Sequence, residues 1–314
     1  MKKSFLVLGV AAMALTSCTQ NEVLNVADGQ AIGFSSFVGK STRVTEDVTL
    51  TNLKSFELYG WRGEDQIFDK QVVENDNGTC SYSPIQYWEA GYTYNFEAIA
   101  PAADGTKVNF TAAKTGGSIT FTNDGTTDLI YAKTEPKTMG ETISEAPGNV
   151  SLTFSHLLSR VMFTFTNGFP SNAAAKITVT DVKIEDTYAS ASITPATGDW
   201  GSYGEANKEI IFPSSSVAEV AVTKSAATEH MYLIPHTSPT YTLSFNVTLD
   251  QNGVTTKYPH TVTIKTAMAK GNSYNFTATL DATNIDPDTQ LYPIVFTADE
   301  TEWADFGDNG MKIE

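Results

Sequence analysis

An all-β chain of tandem antiparallel sandwiches is what this sequence predicts, on three observations. Threonine occurs 43 times in 314 residues, and its branched Cβ suits a pleated, half-buried surface better than a helix. Apolar and polar residues alternate in many short runs, the period of a strand with one wet face. No amphipathic stretch of about 12 or more residues shows helical periodicity. Hydrophobic residues make up 41% and charged residues 18% of the chain, enough apolar material for packed cores, which excludes wholesale disorder. Lys and Arg number 20 against 36 Asp and Glu, a formal net charge of −16. A nucleic-acid partner needs a basic face, so that class is set aside.

The chain opens MKKSFLVLGVAAMALTSC. Lys2 and Lys3 form a positive start, and Phe5–Leu15 is an apolar run too short for a mature membrane span, which needs roughly 20 residues. Leu15-Thr-Ser-Cys18 resembles a bacterial lipobox. Residues 1–17 are therefore expected to be a signal peptide, with Cys18 acylated as a firm membrane anchor. The only other cysteine is Cys80. With Cys18 lipidated no intramolecular disulfide forms, and Cys80 reads as a small buried hydrophobe.

Strand candidates follow in order: Ala31–Val38, Lys107–Phe110, Ser118–Thr122, Val161–Phe165, Ile177–Val179, Tyr241–Leu249 and Thr261–Lys265. Turn residues separate them: Asp76-Asn-Gly78, Asn123-Asp-Gly125, Thr197-Gly-Asp199 and Gln251-Asn-Gly253, the last predicting a hairpin loop. Gly91-Tyr-Thr-Tyr-Asn-Phe-Glu-Ala98 is echoed by Gly271-Asn-Ser-Tyr-Asn-Phe-Thr-Ala278, which suggests two related units. The polar, aperiodic Glu135–Asn149 segment is the expected seam. It divides the chain into a unit over 44–148 and a second over 149–314, the latter with a possible donor strand within 285–314.

Catalytic motifs are missing. There is no G-x-S-x-G, H-E-x-x-H or C-x-x-C, and Gly39-Lys-Ser41 lacks the upstream glycine of a phosphate loop, because Phe34 stands there. His156, His230, His236 and His260 show no metal-ligand spacing. No catalytic residue, metal or cofactor is expected. The aromatics Tyr59, Trp61, Tyr87, Trp88, Tyr92, Tyr94, Trp200, Tyr203 and Trp303 read chiefly as core; a sugar-stacking platform is the competing reading.

These pieces together resemble the fimbrillin family of Bacteroidetes, the Mfa-like subunits also called type V pilins. The matching residues are the lipobox at Cys18, Ile32-Gly-Phe-Ser35 with Ser41-Thr-Arg43, Phe56–Trp61, Tyr87-Trp88 leading to Tyr94–Pro101, Asp128–Ala132, Leu152–Val161 and Gly271–Leu280. The resemblance implies two transthyretin-like, Greek-key sandwiches and lipoprotein export to the outer membrane and cell surface. It also implies proteolytic removal of the first strand after an Arg, and polymerisation by strand exchange. Ala31–Val38 would be that strand, within a pro-segment spanning 18–43. Its loss would leave an unpaired edge able to recruit another strand. The family's donor comes from the C-terminal region. Here Leu291-Tyr-Pro-Ile-Val-Phe-Thr297 is apolar, follows a Pro-containing linker, and offers Leu291, Ile294, Val295 and Phe296; the tail from Ala298 is acidic and looks less strand-like.

Of the three arginines, Arg62 and Arg160 lie beside or inside strand-like runs, whereas Arg43 has small polar neighbours beyond the first strand. An Arg-specific protease needs an accessible extended segment, which makes Arg43–Val44 the expected cut. The first reading is thus a fimbrial subunit, stalk or tip, serving adhesion. Its partners are other fimbrial subunits, membrane lipid through Cys18, and a surface receptor. The alternative is a surface glycan-binding lipoprotein, and a surface hydrolase comes last. The fimbrial reading requires Ala31–Val38 to lie within a sheet over an apolar trough.

Overall fold

The computed structural model describes residues 29–38, 52–142, 146–213, 220–221, 223–236, 238 and 240–303. Among these there is no helix, and twenty strands run in chain order. The first ten are β1 (Phe34–Val38), β2 (Ser55–Arg62), β3 (Asp65–Asp76), β4 (Thr79–Ser81), β5 (Thr93–Ala100), β6 (Val108–Thr111), β7 (Ser118–Thr122), β8 (Ile130–Lys133), β9 (Lys137–Thr138) and β10 (Val150–His156). The remainder are β11 (Ser159–Asn167), β12 (Ala175–Thr187), β13 (Ser190–Ile193), β14 (Lys208–Ile211), β15 (Ser225–Ala227), β16 (Met231–Leu233), β17 (Tyr241–Gln251), β18 (Val254–Ile264), β19 (Asn272–Leu280) and β20 (Thr297–Glu302).

The alternating runs became strands because each buries one face. Along β10 and β17 the even spacing of apolar residues gives strict alternation of buried and wetter positions. The Asn-Gly signals work as read. Asn77 and Gly78 (φ 51° and 93°) turn β3 into β4, and Asn252 and Gly253 (φ 54° and 79°) turn β17 into β18. Both residues of each loop are left-handed, the geometry that matches the twist of a two-residue hairpin.

Eight strands form the first sheet in the order β2-β3-β4-β1-β10-β8-β5-β9, and β2 also pairs with β5. Seven of them therefore close on themselves, and β1 is one stave of the ring, between β4 and β10. Phe34, Phe68, Phe96, Leu152 and Phe154 share the core beneath it. A four-stranded sheet, β14-β12-β17-β18, and a sheet built on β11 and β19 enclose a second core around Phe163, Phe165, Val179, Phe245 and Phe276. A three-stranded sheet, β13-β7-β6, completes the fold. A third core joins residues from both halves, among them Tyr59, Phe121, Leu158, Trp200, Tyr232 and Trp303.

Two findings amend the sequence reading. The expected pairing was purely antiparallel, yet β1 runs parallel to β10 and β11 parallel to β19. Strand direction is a tertiary choice that alternation does not encode. In addition, β10 and β13 lie in the 149–314 portion but pair with β1 and β8, and with β7, of the earlier portion. The chain passes from the first sheet to the next at residues 157 and 158. The reason is burial: Val150, Leu152 and Phe154 alternate toward the core that also holds Phe34.

The internal echo is a repeated local structure. Gly91 and Gly271 both adopt left-handed φ (80° and 73°), a conformation that glycine reaches without Cβ strain. In each copy a backbone N–H five residues upstream donates to the tyrosine hydroxyl: Glu89 to Tyr94 at 2.7 Å, Ala269 to Tyr274 at 2.9 Å. Each tyrosine then stacks on the phenylalanine two residues on, with ring centroids 6.2 Å apart in both.

Candidate functional site

The first strand is bound into its sheet rather than laid upon it. Ile32, Phe34 and Ser36 are all buried. The Phe34 ring meets Phe96, Phe68 and Tyr82 edge-on at 5.3, 5.6 and 5.7 Å, contacts worth about 0.5–1.5 kcal/mol each beyond area burial. Five register positions, Phe34↔Val150 to Val38↔Phe154, join β1 to β10, whereas only Ser35↔Thr79 joins it to β4. Ahead of the strand the Ile32 N–H donates to Gln86 O at 2.9 Å, and the Val150 N–H donates to Gly33 O at 2.7 Å. The Tyr82 hydroxyl donates to Ile32 O at 2.7 Å. Ser36 Oγ donates to Asn75 Oδ1 at 2.8 Å, and Asn75 Nδ2 in turn donates to Leu53 O at 2.6 Å. Cys80 lies beside this group, with Sγ 3.9 Å from Asn75 Oδ1; burial pushes its thiol above the ordinary value. Residues 29–38 thus cover an apolar trough whose floor is Phe68, Phe96 and Phe154.

The C-terminal segment divides into two pieces. Residues 291–296 form no strand. Ile294 is buried, and Phe296 packs edge-on against Phe163, Phe165 and Phe245 at 5.7, 5.8 and 6.1 Å. Leu291, Tyr292 and Val295 stand 75%, 66% and 68% exposed. A cleft of about 680 Å³ separates this segment from the outer edge of β18. The acidic stretch that looked less strand-like contains β20, paired antiparallel with β19 from Asn272↔Glu302 to Thr277↔Thr297. An edge strand tolerates carboxylates because backbone pairing holds one side while its side chains stay in water; Glu300 also accepts from Asn272 Nδ2 and Tyr274 Oη.

Immediately after β20 stands a contact that spacing could not reveal. Trp303 is buried, and its backbone N–H donates to Gly271 O at 2.7 Å. Its ring stacks on His156 at 3.7 Å and 9°, lies parallel to Tyr232 at 5.5 Å, and takes the Arg160 guanidinium over its face at 5.1 Å. His156 is the last residue of β10, and its Nδ1 faces the Asp128 carboxylate at 3.0 Å. Neither Trp303 Nε1 nor His156 Nε2 has a hydrogen-bond partner, so the two rings meet by stacking alone. Asp128, Tyr232 and Trp303 lie far in sequence from His156 and Arg160, and only the fold unites them.

The other sequence expectations fall as follows. Cys18, Arg43 and Val44 lie outside the described residues, as do residues 1–17. Among the described residues no three His, Cys, Asp or Glu side chains cluster as metal ligands. No described helix is long and apolar enough to cross a membrane. All four tryptophans, Trp61, Trp88, Trp200 and Trp303, are buried, as are Tyr59 and Tyr94, so these rings serve the cores. Tyr87 and Tyr92 remain exposed, and Arg62 lies over the Tyr92 ring.

The fimbrillin-like family model matches residues 42–291. The chain belongs to the fimbrillin-like family. Among solved structures, a candidate cell adhesion protein from Bacteroides uniformis ATCC 8492 is 16% identical and superposes with a TM-score of 0.53 over 88% of this chain and 100% of its own. A candidate cell adhesion protein from Bacteroides ovatus ATCC 8483 gives 13% identity and a TM-score of 0.51 over 89% and 99%. The fimbrial anchor protein Mfa2 of Porphyromonas gingivalis is 11% identical, with a TM-score of 0.42 over 88% and 100%. At these identities the likeness is one of fold. A search of curated proteins finds no match.

Proposed function

We propose that this fimbrillin-like chain is a structural subunit of surface fimbriae that serves adhesion and polymerises by strand exchange once β1 is removed. One observation carries the reading: β1 is a buried stave in a closed ring of strands. Removing it would uncover the Phe68–Phe96–Phe154 trough and the backbone groups of β10. Such an edge recruits an extended segment of a neighbour, whose main chain supplies affinity and whose alternate side chains supply specificity. The proposed cut is Arg43–Val44. The proposed donor lies within 285–314, with Leu291, Ile294, Val295 and Phe296 as apolar contributors. The burial of Ile294 and the exposure of Leu291 and Val295 support the assignment.

Export as a lipoprotein, anchored to outer-membrane lipid through acylated Cys18, brings the subunit to its place of assembly in this proposal. Other fimbrial subunits are its partners, together with a receptor on a host or bacterial surface. Two units, over 44–148 and 149–314, would give each subunit an accepting end and a donating end. Of the aromatic platform behind the glycan-binding alternative, the four tryptophans are buried and Tyr87 and Tyr92 stay exposed, which favours the fimbrial reading. Arg43→Ala tests the choice. Surface extracts of wild type should give a ladder of heat-resistant oligomers, and the variant should run as monomer with its pro-segment attached. Ladders that persist with the pro-segment retained would defeat the cleavage step.

A further inference from the structure

We infer that β10 couples the two ends of the chain: while β1 is in place, β10 holds His156 where Trp303 can stack on it, and this latch keeps β20 docked. The inference takes its purpose from the strand-exchange reading, in which the C-terminal arm is freed only after β1 has gone. The coupling itself follows from the contacts.

Three observations carry it. First, β20 is held along one edge only, by its ladder with β19. Five of its six residues are exposed. Its contacts with the cores are Ala298 within the strand, Ile294 and Phe296 before it and Trp303 after it. Second, the Trp303 socket is built from His156 at the end of β10, Arg160 on β11 and Tyr232 on β16. Trp303 Nε1 and His156 Nε2 are both buried without partners, so no side-chain hydrogen bond joins the two rings. A stack of this kind depends on alignment, and a shift of His156 forfeits it. Third, β10 relies on β1. It matches β1 at five register positions but β8 at only two, Ser155↔Tyr131 and His156↔Ile130. Without β1 the strand keeps lateral pairing only at the two residues next to the latch, and its first five residues lose theirs. The same strand thus presents one face of the ring to β1 and the floor of the socket to Trp303.

Coupling between two sites is reciprocal, so it can be read from either end. Hydrogen exchange in the full chain, carrying Cys18→Ser to avoid thiol chemistry, gives the test. Ser36 is fully buried, and Ser36→Glu forces a carboxylate under β1. Amides of Thr297–Trp303 should then exchange about tenfold or more faster, within the roughly five- to 150-fold range usual for coupled sites. Amides of β17 and β18 should keep their protection, which shows that the fold persists. In the opposite arm, Trp303→Ala should accelerate exchange in Phe34–Val38 by a similar factor, and Trp303→Phe, which retains a stacking ring, should restore most of the protection.

The inference is overturned if β1 exchange in Trp303→Ala stays within about twofold of wild type, well below the usual coupling range. It is equally overturned if Ser36→Glu frees β1 while β20 keeps its rate. Should Ser36→Glu also deprotect β17 and β18, the Trp303 arm decides alone. Polymer ladders from wild type without this coupling would sink the latch and leave strand exchange standing. Coupling in a protein that never polymerises would support the latch and sink the assembly reading.

Discussion

Phe34→Ala is the perturbation that most sharply tests how firmly β1 is held. The ring is only 3% exposed and meets three aromatic rings within 5.7 Å. Truncating a buried Phe costs about 3–5 kcal/mol through lost transfer energy and the cavity left behind. Three edge-on partners argue for the upper half of that range, because their own packing is lost with the ring. Phe34 lies on a short strand with one long pairing partner, so the loss should appear as local opening of β1 before global unfolding. At about 1.4 kcal/mol per tenfold, the opening equilibrium should rise by roughly three to three and a half powers of ten. Hydrogen exchange followed on peptides covering Phe34–Val38 reads this directly, and urea unfolding gives the global change. Leu291→Ala, at a side chain 75% exposed, is the control and should stay within about 0.5 kcal/mol. A loss below about 1 kcal/mol for Phe34→Ala would refute the reasoning, because a buried Phe in a packed core does not give so little.

Two further outcomes follow from buried and capping carboxylates. Glu97 is buried and accepts the Ala113 and Gly117 N–H groups at 2.8 and 2.7 Å and the Tyr131 hydroxyl at 2.8 Å, while burial raises its pKa. Glu97→Ala strands those donors and should cost about 2–4 kcal/mol by urea unfolding; a change under about 1 kcal/mol would contradict the reading. Asp104 accepts the N–H groups of Thr106, Lys107 and Val108 at 2.8, 2.7 and 3.0 Å. The Thr106 N–H above all holds its pKa at about 2, below the ordinary 3.8. A carboxyl with a depressed folded pKa stabilises above its unfolded value, and that support is lost as pH falls through the folded one. The amide resonances of residues 106–108 should therefore titrate near pH 2; a midpoint at the ordinary value would contradict the cap.

Much of the fold was legible because local rules and tertiary burial agree. The alternation in Tyr241–Leu249 and the Asn-Gly at 252–253 specify a hairpin that nothing else in the chain opposes. The repeated Gly-x-[Thr/Ser]-Tyr-Asn-Phe marks two like corners because glycine takes the left-handed turn ahead of each tyrosine without Cβ strain. What was not legible depends on meeting partners distant in sequence. The parallel run of β1 against β10 leaves no trace in either segment, since parallel and antiparallel neighbours bury the same alternate residues. The acidic run 297–302 hid its strand because an edge needs no apolar side chains. Asp128 and Trp303 lie on segments far from the one that carries His156 and Arg160, and no spacing rule joins the three. Of the aromatics read as core, Tyr59, Trp61, Trp88, Tyr94, Trp200 and Trp303 are buried, whereas Tyr87 and Tyr92 are exposed.

The most direct measurement is the N-terminal mass of the subunit recovered from assembled surface polymers. If β1 is a removable stave, peptide mass spectrometry should place Val44 at the N-terminus, and residues 31–38 should be missing from every polymerised copy. Polymers whose subunits still begin at acylated Cys18, with Phe34 retained and its amides protected as in the monomer, would contradict that claim outright.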